Sequence, residues 1–221
     1  MQNFATTAAI TTVLDVPAGA IRLIATDRAD TTVEVLPANA GKSRDVKAAE
    51  ETTVALQDGV LYINTPHRNE AFGASGSVSV TVQLPAGSSV EAKTASAEFT
   101  TTGRLGDVSL ESAHGTVTLD EAARTRITLA AGDITVGRLT GSADIRTQKG
   151  ALTIGEATGG TVTLRTELGD ITVGAARGVC AALDAGTSYG RVSNALQNTG
   201  ADTTLTIHAT TAYGDITART A

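Results

Sequence analysis

With 221 residues, a formal charge of −6, 3% aromatics and no Trp, the chain can bury its own core but must build it from Val, Ile, Leu and Ala. No Lys/Arg cluster with interleaved aromatics is present, so the electrostatic face that nucleic acid requires is missing. One cysteine, Cys180, excludes an intramolecular disulfide, and no stretch approaches the roughly 20 apolar residues of a membrane span.

In chain order, the opening MQNFATTAAITTVLDV lacks the basic n-region and long apolar h-region of a secretory signal. A cytoplasmic location is expected, with the cell surface as the alternative. Apolar alternation predicts strands at Val13–Val16, Ile21–Ile24, Val33–Leu36, Val54–Leu56, Val60–Ile63 and Val78–Leu84. Pro17-Ala18-Gly19 and Pro85-Ala86-Gly87 read as turns, because Pro fixes φ and Gly frees it. Ser43–Glu51 (SRDVKAAEE) predicts a short helix, with Ser as N-cap and an acidic first turn. Asn64–Ser77 is polar and Gly-rich and predicts a loop.

From Val90 onward a repeat takes over. A pentapeptide recurs as GTVTL at Gly115–Leu119, GDITV at Gly132–Val136, GALTI at Gly150–Ile154 and GDITV at Gly169–Val173. Weaker copies are GRVSN at Gly190–Asn194 and GDITA at Gly214–Ala218. The inward residue of this strand gives the series Phe99, Val117, Ile134, Leu152, Ile171, Val192, Ile216, with steps of 18, 17, 18, 19, 21 and 24. A second series, Val90, Val108, Ile127, Ile145, Val162, Leu183, Leu205, has steps of 18, 19, 18, 17, 21 and 22. Two interleaved series with one period predict an all-β parallel β-solenoid, or β-helix, with two-strand coils of about 18 residues. Residues 1–89 are expected to form an N-terminal β region that caps it, and 90–221 to hold the coils, all within one continuous domain.

Period two puts Ile134 and Val136 inside and Asp133 and Thr135 outside. The outer face then carries a hydroxyl column, Thr118, Thr135, Thr153, Thr172, Ser193, Thr217, beside a column of Thr116, Asp133, Ala151, Asp170, Arg191, Asp215. Thr is simply a good solvent-facing strand residue, and the charged column interrupts any hydroxyl array. Asp133, Asp170, Arg191 and Asp215 are candidates for a ligand or cation. Each Asp follows a Gly at a strand start, where Asx side chains commonly close turns, and Asp133 and Asp170 stand two coils apart, roughly 10 Å. The calcium-binding nonapeptide G-G-x-G-x-D is absent. His67, His114 and His208 share no metal-ligand spacing, and Cys180 reads as a small buried residue. No catalytic residue, metal or cofactor is expected.

The chain resembles, over essentially its whole length, a bacterial family of unknown function, the putative-adhesin-type β-strand-repeat proteins, and within it the leaderless actinobacterial branch. The resemblance rests on VLDVPAGAIRLIATDRADTTVEVLP, SRDVKAAEETTV, SVSVTVQLPAGSSVEAKTASAEFTTTGRLGDVSL, the GDITV repeats, and the closing SYGRVSNALQ and TAYGDITART. It implies a β-solenoid and no established reaction.

The expected function is a non-enzymatic interaction or scaffold protein whose partner is protein, in the first place itself. The last strand, near Tyr213, Asp215, Thr217 and Arg219, is expected to leave a sheet edge open for self-association. The alternatives are an exported surface adhesin and a polysaccharide-active β-helix enzyme. The enzyme reading nominates Asp170 and Arg191 on neighbouring coils, with carbohydrate as partner.

Overall fold

The computed structural model describes residues 1–66, 76–198, 200 and 202–221. Its contacts divide the chain into two units, Met1–Gly115 and Thr116–Ala221. That division falls beyond the boundary at residues 89 and 90 drawn from the sequence. Among the described residues the protein is all-β apart from one helix.

The first unit contains β1 (Gln2–Ala5), β2 (Thr11–Asp15), β3 (Ala18–Thr26), β4 (Asp30–Pro37), α1 (Ser43–Glu51), β5 (Thr53–Gln57), β6 (Val60–Asn64), β7 (Val78–Pro85), β8 (Ser89–Thr102) and β9 (Arg104–His114). Every strand expected from alternation is present; β1 adds to them, pairing antiparallel with β4. One ladder runs β5-β6-β2-β8-β9 and the other β1-β4-β7-β3-β8, so β8 serves both. β1–β4, β4–β7 and β5–β6 are antiparallel, and the rest are parallel. The chain therefore begins its layers in the middle, at β2 and β3, and adds β6 and β7 on one side and β8 on the other. Val80, Ile21 and Phe99 lie in register across β7, β3 and β8 and are all buried.

Helix α1 spans the expected residues, but Ser43 is its first helical residue rather than its cap. Lys42 holds the N-cap position and supplies no side-chain cap. Asp45 is buried and accepts a hydrogen bond from the Ser77 N–H at 3.0 Å. Its carboxylate thus ties the helix to the start of β7. His67 and most of the expected loop lie outside the described residues.

The second unit contains β10 (Val117–Ala131), β11 (Ile134–Leu139), β12 (Ala143–Lys149), β13 (Leu152–Ala157), β14 (Gly160–Arg165), β15 (Ile171–Ala175), β16 (Ala181–Tyr189), β17 (Val192–Ala195), β18 (Leu205–Tyr213) and β19 (Ile216–Thr220). All its registered pairings are parallel. One ladder runs β10-β11-β13-β15-β19-β17 and the other β10-β12-β14-β18-β16.

Two features depart from the expected series. First, the spatial order is not the chain order: β18 and β19 lie between β14/β15 and β16/β17. The column in register is therefore Val117, Ile134, Leu152, Ile171, Ile216, Val192. Second, Ile145 sits opposite Leu164, not Val162, and Leu183 opposite Ile207, not Leu205. A slip of two residues keeps every side chain on its own face, so alternation cannot reveal it.

Candidate functional site

The repeated glycines mark the turn where the chain passes from one ladder to the other. At Gly169, φ is +151° and an added Cβ would lie 2.1 Å from the Gly150 carbonyl oxygen. Gly214 meets Gly169 at the same distance, and Gly190 meets Gly214 at 2.0 Å. Successive turns thus touch backbone to backbone, which only glycine permits.

The crowded carbonyls are satisfied by threonine. Thr166 Oγ1 donates to the Gly150 carbonyl at 3.1 Å, Thr211 to Gly169 at 3.0 Å and Thr187 to Gly214 at 3.0 Å. The sequence carries a signal for this, a T-x-x-G spacing at Thr147–Gly150, Thr166–Gly169, Thr187–Gly190 and Thr211–Gly214, which the pentapeptide reading passes over.

The aspartates complete the turn. Asp133 accepts from the Ala151 N–H, Asp170 from the Asp215 N–H and Asp215 from the Arg191 N–H, each at 2.8 Å. Each carboxylate thus caps the main chain of the next layer, using the short polar side chain that suits a turn. Asp170 and Arg191 are not on neighbouring layers, because Asp215 lies between them; the non-sequential strand order removes that pair. Among the described residues no three His, Cys, Asp or Glu side chains could hold a metal. His208 Nδ1 lies 3.1 Å from Asp184 Oδ2 across β18 and β16, at the surface. Cys180 is buried, and its Sγ accepts from the Gly200 N–H. The hydroxyl column is in register as Thr118, Thr135, Thr153, Thr172, Thr217, Ser193.

Tyr213, Asp215, Thr217 and Arg219 do not border an open edge. β18 is flanked by β14 and β16, and β19 by β15 and β17. The physical premise that the last strand in sequence is the last in space does not hold. Among the described residues, the strands paired on one side only in this unit's outermost layer are β16 and β17.

That outer layer is where the core reaches solvent. Leu183 is half-buried and Val192 is 43% exposed, whereas their register partners Ile207 and Ile216 are 0% and 1% exposed. The next inward position, Ala218 on β19, becomes exposed Asn194 on β17. Tyr189 stacks on Tyr213 with ring centroids 4.8 Å apart and planes 5° from parallel. Leu168 bridges to Tyr213 one layer further in. Leu168, Tyr213 and Tyr189 are 50%, 55% and 67% exposed, an apolar strip that rises to the outer edge.

One point of that edge is closed. Asn198 accepts from the Ala181 N–H at 2.9 Å and donates to the Ala181 carbonyl at 3.0 Å, imitating a neighbouring strand. On the other arm, Arg177 and Arg219 line a groove of about 650 Å³ with Ala195 and Gln197. Donors, acceptors and an apolar strip thus converge on the outer layer, an arrangement suited to holding another chain.

Solved structures similar to the chain include three bacterial proteins. The putative adhesin of Bacteroides fragilis NCTC 9343 is 13% identical, with a TM-score of 0.55 over 98% of this chain and 95% of its own. A putative cell adhesion protein of Clostridium sporogenes ATCC 15579 is 12% identical, with a TM-score of 0.46 over 100% and 98%. The putative adhesin of Parabacteroides distasonis ATCC 8503 is 15% identical, with a TM-score of 0.47 over 98% and 95%. No curated protein matches the chain. The family model Toastrack DUF4097 matches residues 12–221, and the chain belongs to that family.

Proposed function

We propose that the chain is a non-enzymatic interaction scaffold, built as a β-solenoid of two-strand coils, that binds another polypeptide through its outer β16/β17 layer. The observation that carries this reading is the edge itself. An unpaired parallel layer offers a row of main-chain donors and acceptors, and such edges pair unless they are blunted. β16 and β17 contain no Lys and no Pro, the residues that usually guard an edge. The half-exposed Leu183 and Val192 add apolar area to the same surface.

The aspartate column supports no hydrolytic role, because Asp133, Asp170 and Asp215 are each engaged in capping a main-chain N–H. No described helix is long and apolar enough to cross a membrane. The partner belongs to the cytoplasm in this reading, and the likeness of the fold to an adhesin keeps the cell surface as the alternative.

Photo-crosslinking inside the source cell tests the reading. A photoreactive residue at Ala185, on the open edge, is expected to give a covalent adduct with a polypeptide. The same residue at Thr118, on the exposed face of β10, is expected to give none. Failure of position 185 to trap any polypeptide would overturn the reading.

A further inference from the structure

We infer that the partner of the β16/β17 edge is a second copy of this chain, joined by a two-fold axis through the turn at Tyr189 to form a closed dimer. This rests on the scaffold reading above and names its partner.

The main chain fixes which groups are on offer. The Ala181 N–H and C=O both meet Asn198, whereas the Cys180 carbonyl accepts from Thr204 and Leu205 on the side of β18. Since main-chain groups alternate sides along a strand, those of Leu183, Ala185 and Thr187 face away from β18. On β17 the Arg191 N–H meets Asp215, and the Arg191 carbonyl accepts from Ile216. By the same alternation, the groups of Val192 and Asn194 face outward. Asn198 blunts only the far end of β16, so the open stretch lies next to the turn.

The direction of the two arms selects the symmetry. β16 runs toward the turn and β17 runs away from it. Rotation by half a turn about an axis beside Tyr189 lays β16 of each copy along β17 of the other, antiparallel. The contact is isologous: each arm is used once by each copy, and nothing is left to grow a polymer. With the axis at the peptide between Tyr189 and Gly190, the antiparallel match sets outward-facing Thr187 against Val192 and Ala185 against Asn194 of the second copy. It also sets the Tyr189 rings of the two copies face to face, extending the stack already formed on Tyr213. The half-exposed Leu183 and Val192 supply the apolar centre that such a contact needs.

Light scattering coupled to size exclusion, on the full chain across a concentration series, is expected to show a monomer–dimer equilibrium that stops at two. Ala185→Pro removes one outward N–H per chain without touching the bonds to β18, a change an edge strand tolerates. It is expected to weaken the dimer about ten-fold or more. Tyr189→Cys is expected to form a disulfide dimer under mild oxidation, because only a residue beside the axis meets its own copy. A one-chain mass at every concentration, with no disulfide crosslink formed by the Tyr189→Cys variant, would overturn the inference, as would growth beyond two chains. If the pure chain stays monomeric while position 185 traps a different polypeptide in the cell, the second copy falls and the scaffold reading stands. If neither occurs, both fall.

Discussion

The two units solve the same problem differently. In the first, the outermost parallel strands are covered: β4 pairs antiparallel along β7, β5 along β6, and β1 along β4. Val78, Val80, Val82 and Leu84 of β7 are all 0% exposed as a result. In the second, the corresponding layer, β16 and β17, has no antiparallel cover among the described residues, and its apolar side chains are half open to water. Reversing chain direction spoils the template that a parallel layer offers to the next one. A unit closed by short antiparallel strands has nowhere to add a coil, whereas a unit ending on a complete parallel layer still does.

The strongest way to break the comparison is to attack what the units share, the close approach of backbone at the turns. Gly169→Ala places a Cβ 2.1 Å from a carbonyl in a left-handed conformation, and about 4 kcal/mol or more of stability should be lost. Gly178→Ala, with positive φ but open space around it, should cost about 1 kcal/mol. Denaturant unfolding checks the pair; equal costs would show that the turns do not stack as described.

A second substitution pair sharpens the difference between inside and outside. Ile207 and Leu183 are register partners one layer apart. Ile207→Ala should cost about 3 kcal/mol and Leu183→Ala about 1 kcal/mol in the monomer, because only the first leaves a sealed cavity. A large cost for Leu183→Ala at concentrations where the chain is monomeric would mean that the outer layer is already covered.

The smallest effect belongs to the covered unit. Arg28 donates to Asp30 at 2.9 Å and also to Gln83, tying the start of β4 to β7. The Arg28 hydrogen bond holds the Asp30 carboxyl below its usual range. A depressed carboxylate contributes stability above its unfolded pKa of about 4, and the contribution is lost as pH falls through the lower folded value. The melting-temperature gap between wild type and Asp30→Asn should therefore be present at neutral pH and close on acidification. A gap that widens in acid would contradict this.

Much of this was legible in the residues. Alternation located β2 to β7 and the repeat series fell on β8 and β9, whereas β1, Gln2–Ala5, is too short and polar to announce itself. The second series drifted because a two-residue slip, as at Val162, preserves every face. The exchanged layers were hidden for a different reason: a period states how far apart strands lie in sequence and is silent on which neighbour each one chooses. A trace was present nonetheless. The steps lengthen to 21 and 24 residues where the chain must pass to an outer layer and return. The aspartates were readable as turn formers, but their partners, N–H groups of the next layer, depend on three-dimensional stacking that no single repeat encodes.

The exchanged layers also bear on how the protein is made. β16 and β17 leave the ribosome before β18 and β19, yet they rest on them. Until the later strands arrive, the vacant edges of β14 and β15 are the nearest available docking sites, and β16 and β17 share the alternation that would let them settle there. The second unit thus admits two arrangements that keep every side chain on its own face, one in chain order and the native one, and the arrival of β18 and β19 is what distinguishes them. Slow translation before Leu205 would lengthen the life of the arrangement in chain order, and rapid synthesis through it would favour direct assembly.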